Sequence, residues 1–208
     1  MTDEQSRQIK NYYEQYCAVI KPLIAQIEAL SEKIPIPIFN EIRAFNDHIA
    51  RCYFKSPSDE YIAIQLDKAQ RHITRITLDC FKCLNVILFQ QIELFEHQTR
   101  NVDLTVIDNG TFLPEYSRRK LAAAKAVKEA KLLEAQNIDE ALIKYQDSFN
   151  LYSDIMDSVD EIGEKVKWAR IRFYIRRWLT ITLWVVSVLI SAIVSAIFSC
   201  ELISRISL

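Results

Sequence analysis

The sequence predicts an all-α protein, a helical bundle followed by one C-terminal transmembrane helix. The 208 residues include only two glycines, Gly110 and Gly163, and so few turn residues do not fit a many-stranded sheet. Apolar side chains recur at three- and four-residue steps through most of the chain, as on helices with one buried face. Residues 178–198 carry no charge, glycine or proline. About 21 residues at about 1.5 Å of rise just cross a hydrocarbon core of about 30 Å.

Composition excludes several classes of function. The formal net charge is −1, which argues against DNA as a partner and against a general nucleic-acid binder. The pair Cys80 and Cys83 has no second cysteine pair to complete a zinc site, and the chain has only three histidines. We therefore interpret these cysteines as small buried residues and expect neither a metal site nor a cofactor.

The first predicted helix covers residues 3–33, because one apolar stripe follows helical spacing and Pro22 only bends it. Pro35 and Pro37 end it, since each proline fixes its own backbone and disfavours helix in the residue before it. A short, aromatic-rich helix is predicted over residues 39–54.

The longest predicted helix runs from about residue 59 to about residue 100, because neither glycine nor proline interrupts it. Ser58 is its predicted N-cap. Its predicted core stripe consists of Leu66, Ala69, Ile73, Ile76, Cys80, Cys83, Leu84, Ile87, Leu88, Ile92 and Phe95.

A helical hairpin is predicted next. Residues 104–114 form a loop, residues 115–135 a basic helix, and residues 137–140 a tight turn with an Asp or Asn cap. The acidic last helix either packs antiparallel on the basic one or leaves both charged faces in solvent. Its coiled-coil-like seam is predicted to be Ile138, Leu142, Tyr145, Phe149, Tyr152, Met156, Val159, Gly163 and Val166.

Charges beside the apolar segment predict its orientation. The N-terminal flank carries more cations than the tail after residue 198, where Arg205 is the single one. The positive-inside bias then places residues 1–177 in the cytoplasm, with the chain anchored in the inner (plasma) membrane. The predicted domains are a cytosolic bundle over residues 1–170 and a membrane segment over residues 171–208. The residues predicted to anchor the helix at the headgroups are Arg176, Arg177 and Trp178.

Four serines recur every fourth residue within the apolar segment: Ser187, Ser191, Ser195 and Ser199. Positions four apart share a helix face, and small side chains there let two membrane helices approach closely. The stripe predicts a homo-oligomer in the lipid bilayer. The alternative is that each hydroxyl bonds a carbonyl of its own helix. A ring of such helices can also line a pore, and the stripe alone does not separate packing from conduction.

A short motif resembles a nuclease signature. Residues 43–48 read R-A-F-N-D-H, so Arg43 and His48 fit R-x-x-x-x-H, the pattern of metal-free HEPN ribonucleases. Such chemistry needs a base for the 2′-hydroxyl proton and a cation for the phosphorane charge, which His and Arg can supply. The pattern is common by chance in a chain with three histidines.

A second polar group is predicted on the following helix, where His72, Arg75 and Asp79 share one face. If the two helices pack together, these side chains join Arg43, Asp47 and His48 in one polar network. We favour the interpretation that this network is a structural cluster that fixes helix register over a working nuclease site.

The chain resembles the HEPN-like membrane accessory proteins of type VI-B CRISPR loci. The resemblance rests on the R-A-F-N-D-H motif together with the size of the chain, its helical composition and its single predicted span. The chain is similar, more loosely, to other small helical antiphage membrane effectors. The resemblance implies an oligomer or pore that perturbs the inner membrane, with an RNA-guided CRISPR effector or another defence protein as partner.

Two further hypotheses stay open at this point. One is a membrane-tethered HEPN ribonuclease that uses Arg43 and His48. The other is a tail-anchored tether or scaffold of the SNARE type, because a heptad seam leads into a basic juxtamembrane stretch. The tether requires the helix over residues 138–166 to be free to pair with another chain, whereas the effector buries it in its own bundle.

Overall fold

The computed structural model describes the backbone of residues 1–206 and the side chains of residues 1–196. Over residues 1–206 the chain is helical and contains no strand, which confirms the all-α prediction. The α-helices are α1 Asp3–Gln15, α2 Lys21–Ser31, α3 Ile36–Arg51, α4 Asp59–Gln98, α5 Phe112–Leu133, α6 Ile138–Glu161 and α7 Gly163–Ile206. Packing divides the chain into two units. The first comprises Met1–Glu96 and Glu115–Asp160, and the second His97–Pro114 and the chain from Glu161 onward.

The predicted bend at Pro22 takes the form of a π-helical turn, Tyr16–Ile20, between α1 and α2. In this turn the N–H of Lys21 bonds the carbonyl of Tyr16, five residues earlier. Pro22 has no N–H to form the regular hydrogen bond to the carbonyl four residues back. A wider turn immediately before Pro22 accommodates this break in the helical hydrogen-bond pattern. The helix then ends at Ser31, because Glu32 adopts a left-handed backbone with φ of 56°.

Local sequence signals fix where α3 and α4 begin. α3 begins at Ile36 rather than at residue 39, because Pro37 falls in its first turn, where a missing N–H is tolerated. Ser58 caps α4 as predicted, since its Oγ accepts a hydrogen bond from the N–H of Tyr61 at 3.3 Å.

α4 is the central helix of the first unit. Its predicted stripe is buried apart from Cys83 and Ile87, which are partly buried. Six further residues of α4 are also buried: Ile62, Gln65, Thr77, Leu78, Phe81 and Asn85. The helix therefore packs on more than one face, and hydrogen bonds join it to α1, α3, α5 and α6.

The α5–α6 hairpin is closed by the predicted turn, in which Asn137 Oδ1 accepts from the backbone N–H groups of Asp139 and Glu140. The predicted seam of α6 is wrong by about one residue at several positions. The buried line is Ala141, Tyr145, Ser148, Tyr152 and Ile155. The reason is that α5 presents buried alanines, and its backbone comes close enough for Ser148 Oγ to donate to the carbonyl of Ala123 at 3.0 Å.

Within the second unit, a short 3₁₀ segment, Leu104–Gly110, contacts the first turns of α7. Lys165 Nζ lies 2.5 Å from Asp108 Oδ1, and Arg170 donates to the carbonyl of Gln98 at 3.2 Å. Ala169 is fully buried here. α6 and α7 are separated by Ile162, and from Gly163 the chain continues as one helix.

The close approach of α5 and α6 predicts that Ala123→Leu destabilises the protein by about 1–3 kcal/mol, because the added carbons have no space. Ala122→Leu is the matched control, since Ala122 is exposed on the same helix, and it should change stability by less than about 0.5 kcal/mol. Urea unfolding of the full chain in detergent micelles, followed by circular dichroism, measures both. Equal stability of the two variants would contradict the packing described.

Candidate membrane anchor and polar site

The apolar part of α7 is uncovered by the rest of the chain. Gly163–Ala196 is long and apolar enough to cross a membrane, and its most apolar stretch is entirely unburied. Leu183 and Trp184 expose 69% and 67% of their surface. A soluble helix buries an apolar face, so this helix requires an apolar environment from outside the chain. The coarse prediction of one helix with membrane-spanning character is confirmed.

Basic side chains precede this stretch, and some of them are engaged within the second unit. Arg176 lies 3.7 Å from Asp103, with its side chain 79% exposed. Arg172 stacks over the ring of Trp168 at 5.3 Å. Over the described side chains, Arg177 forms no ion pair within 4 Å. Trp178 follows it directly and is 68% exposed. The predicted anchor residues thus remain accessible at one end of the apolar stretch.

The serine stripe lies on the uncovered part of α7. Ser187 Oγ donates to the carbonyl of Trp184 at 2.8 Å, so this hydroxyl is satisfied by its own helix. Ser191 and Ser195 are exposed one and two turns further along the same face. Ser199 lies outside the described side chains. The stripe is a surface of small side chains on which a second helix can pack.

The first unit brings two of the predicted polar residues together. The rings of His48 on α3 and His72 on α4 stack with centroids 5.1 Å apart and planes 20° apart. His48 Nδ1 lies 2.7 Å from Oε1 of Gln65, and His72 Nδ1 lies 2.5 Å from Oε2 of Glu41. Because both oxygens are acceptors, each Nδ1 carries a proton.

The other four predicted members form no hydrogen bond or ion pair with these two histidines among the described residues. Arg43 is exposed, and among the described residues it forms no ion pair within 4 Å. Asp47 pairs with Arg51 at 2.6 Å on the surface of α3. Arg75 is also exposed. Among the described residues, no hydrogen bond or ion pair joins Arg43 to His48.

Asp79 belongs to a second polar cluster with Lys82 and Glu134. Burial raises the pKa of the Asp79 carboxyl, although nearby Lys82 partly offsets the effect. Burial alone would also raise the pKa of Glu134, but hydrogen bonds from Lys82 and Tyr145 hold it below its usual value. Lys82 Nζ lies 2.7 Å from Glu134 and 3.8 Å from Asp79. The lysine thus joins α4 to the turn that follows α5.

Sequence reasoning missed the residues that complete these clusters. Gln65 is 3% exposed and Glu41 is partly buried, yet neither belongs to the motif or to the predicted polar face. No periodic signal marks Gln65, because polar residues are expected on exposed faces. The i, i+4 spacing of Asp47 and Arg51 does predict their surface ion pair.

Cys52, Cys80 and Cys83 offer little reactivity, because burial raises the pKa of each thiol. Cys80 is fully buried, and burial raises the pKa of its thiol to about 12. A thiol that stays protonated is a poor nucleophile and a poor metal ligand. Within the described residues no group of three His, Cys, Asp or Glu side chains has a metal-binding arrangement.

The chain matches no protein-family model, no curated protein and no solved structure.

The hydrogen bond between His48 and Gln65 predicts coupling between the two residues. His48→Leu should destabilise the protein by about 1–3 kcal/mol, because the buried amide of Gln65 loses its partner. In the double variant His48→Leu/Gln65→Leu, the loss in free energy of unfolding should be at least about 1 kcal/mol smaller than the sum of the losses in the two single variants. Urea unfolding of the full chain in micelles gives these values.

Arg43→Ala is the control for this cycle, since Arg43 is exposed on the same helix, and it should change stability by less than about 0.5 kcal/mol. Strict additivity of the two leucine substitutions would show that His48 and Gln65 are not paired.

Proposed function

We propose that the protein is a single-pass membrane protein that self-associates through α7 and holds its helical bundle at the inner face of the plasma membrane. The observation that carries the proposal is the apolar stretch of α7, which no part of the chain covers. Transfer into a bilayer satisfies its side chains, and helical hydrogen bonds satisfy its backbone.

The proposed orientation keeps residues 1–177 in the cytoplasm. The cations before Trp178 outnumber those after residue 198, as the positive-inside bias requires. Arg177, which has no ion-pair partner within the described part of the chain, is available to lipid phosphates.

The biological role we propose is an effector or accessory of bacterial antiphage defence that perturbs the membrane as an oligomer or pore. Its support is the resemblance of the R-A-F-N-D-H chain to HEPN-like membrane accessory proteins, together with the serine stripe. An RNA-guided CRISPR effector or another defence protein is the proposed partner. Arg43 and His48 then act as structural or interface residues.

The tether hypothesis is less well supported. A tether of the SNARE type needs α6 free to pair with another chain. Tyr145, Ser148 and Tyr152 of α6 are instead buried within the first unit. The ribonuclease hypothesis retains the stacked His48 and His72, but Arg43 is exposed and forms no ion pair within 4 Å among the described residues.

The membrane proposal predicts the effect of charges in the middle of the apolar stretch. Replacing Val188 and Leu189 together by arginine should weaken insertion by about 5–7 kcal/mol, because each charge must enter the hydrocarbon core. After synthesis in the presence of liposomes and washing with alkaline carbonate, the original chain should stay with the vesicles and the variant should be released.

Leu121→Arg is the matched control, since Leu121 is 75% exposed on α5 in the first unit. It should remain with the vesicles. Release of the original chain by carbonate would refute membrane insertion.

Self-association predicts that the mass of the full chain in detergent is a multiple of the 24.3 kDa protomer. Replacing Ser187, Ser191 and Ser195 together by leucine should lower that mass toward one protomer, because bulkier side chains separate the helices. With about 0.6–2 kcal/mol per serine, the association constant should fall at least about tenfold. Light scattering after size-exclusion chromatography measures the mass.

The control variant enlarges the opposite face through Val185→Leu, Leu189→Phe and Ile193→Phe, and its mass should stay unchanged. A protomer-sized original chain would remove self-association from the proposal. If the protein is an oligomer but releases no trapped dye from liposomes, the pore part of the proposal is wrong and the membrane-anchor part still stands.

A further inference from the structure

A groove in the first unit has the size of a small-molecule site. It lies between α4, α5 and α6 and has a volume of about 770 Å³. Small-molecule sites of proteins have volumes of about 300–1,000 Å³ and mostly apolar walls. Val86, Phe89, Val127 and Tyr152 form apolar walls here. Val86 is 57% exposed, so an occupant would cover apolar surface that now faces solvent.

Asn85, which also lines the groove, has an unsatisfied acceptor. The residue is 4% exposed, and its Nδ2 donates to the carbonyls of Phe81 at 2.8 Å and Tyr145 at 2.9 Å. These two bonds use both amide protons. Among the side-chain atoms that the structure describes, Asn85 Oδ1 is the buried one with no hydrogen-bond partner. Buried acceptors without a partner are rare in folded proteins and require an explanation.

The other polar groups beside Asn85 satisfy one another. Lys82 donates to Glu134 at 2.7 Å, and the hydroxyl of Tyr145 donates to the same carboxylate. The Tyr145 hydroxyl proton is therefore committed to Glu134 and is not available to Asn85. The missing partner of Asn85 is thus a donor that this cluster does not supply.

We propose that this groove binds an uncharged small molecule that has a flat apolar body and an N–H or O–H donor directed at Asn85 Oδ1. The rings of Phe89 and Tyr152, tilted by 59° with centroids 6.1 Å apart, offer edges and faces to a flat ring. The groove is lined by charges of both signs, Lys131 and Glu93 among them. It therefore favours neither a cationic nor an anionic ligand.

Access to the oxygen involves a side-chain rotation. Asn85 Oδ1 has almost no exposed surface, whereas Lys82 and Phe89 are half-buried neighbours three and four residues away on the same face of α4. Binding as proposed requires a side-chain movement that exposes Asn85 Oδ1 to the groove. The proposal is independent of membrane insertion, since all of these residues belong to the first unit.

The test compares indole with N-methylindole, which keeps the flat ring and lacks the N–H. Each probe is titrated into the full chain in lipid nanodiscs by calorimetry, and titrations of empty nanodiscs are subtracted. Indole should bind saturably and about five to ten times more tightly than N-methylindole, the contribution of one neutral hydrogen bond. Non-specific partitioning favours the more apolar N-methylindole, so it cannot produce this preference.

Two variants locate the binding. Ala124→Trp fills the groove from an exposed position on α5 and should weaken indole binding at least about tenfold. Ala122→Trp is its matched control, because Ala122 is exposed on the same helix and does not line the groove. The Asn85→Leu variant should still bind both probes, with the same affinity for indole as for N-methylindole.

Three results would overturn the proposal: no saturable binding of indole, equal or tighter binding of N-methylindole, or a preference for indole that survives Ala124→Trp. If Asn85→Leu fails to fold, the comparison of indole with N-methylindole, in the original chain and in Ala124→Trp, still tests the proposal.

Discussion

The structure depends on the burial of α4 on more than one face. A helix of 40 residues without glycine or proline presents side chains in every direction, and α1, α3, α5 and α6 pack on its buried faces while residues such as Val86 stay exposed. Such coverage also buries polar residues, which must find partners. Gln65 finds His48, and Thr77 bonds the carbonyl of Ile73 on its own helix. Asn85 finds partners for its protons and none for its oxygen, among the described atoms.

The same physical rule leads to the opposite result in α7. Its backbone is satisfied internally, but over Gly163–Ala196 the side chains of its most apolar stretch are not buried by the described part of the chain. A helix of this kind is stable in a bilayer, where water does not compete for the backbone and lipid contacts the side chains. The first unit buries its apolar residues itself, whereas the apolar stretch of α7 depends on its surroundings. This contrast is the physical basis for the proposal that the bundle lies in water and the apolar stretch of α7 in lipid.

The fold was largely predictable because its signals are local. Ser58 and Asn137 accept hydrogen bonds at helix starts, and an apolar stripe identifies the inner face of α4. The seam of α6 was placed incorrectly because Ser148 and Ala141 are less apolar than their neighbours. Their burial follows from the small residues of α5, and a cross-helix match of this kind is invisible in the pattern of one helix. Apolar periodicity indicates which side of a helix is buried, but it does not indicate which other helix packs against that side.

The polar sites were less predictable for the same reason. Helical spacing placed His72 on a defined face of α4, but only tertiary packing sets His48 against it and adds Gln65. Arg43, five residues before His48 on α3, faces solvent instead. A motif written as spacing along one helix therefore does not establish that its two residues meet.

Gln65 and Asn85 hold α4 at two well-separated levels. They are twenty residues apart, which corresponds to about 30 Å along a helix. At one level Gln65 bonds to α3, and at the other Asn85 bonds to the backbone of α6. A one-residue shift of α3 or α6 along α4 would break one of these bonds and leave a buried amide unpaired, so the pair selects a single register. A ligand donor that completes Asn85 would act on the same contact, because it stabilises only the state in which Asn85 faces the groove. Occupancy of the groove would therefore strengthen the α4–α6 contact more than the α3–α4 contact.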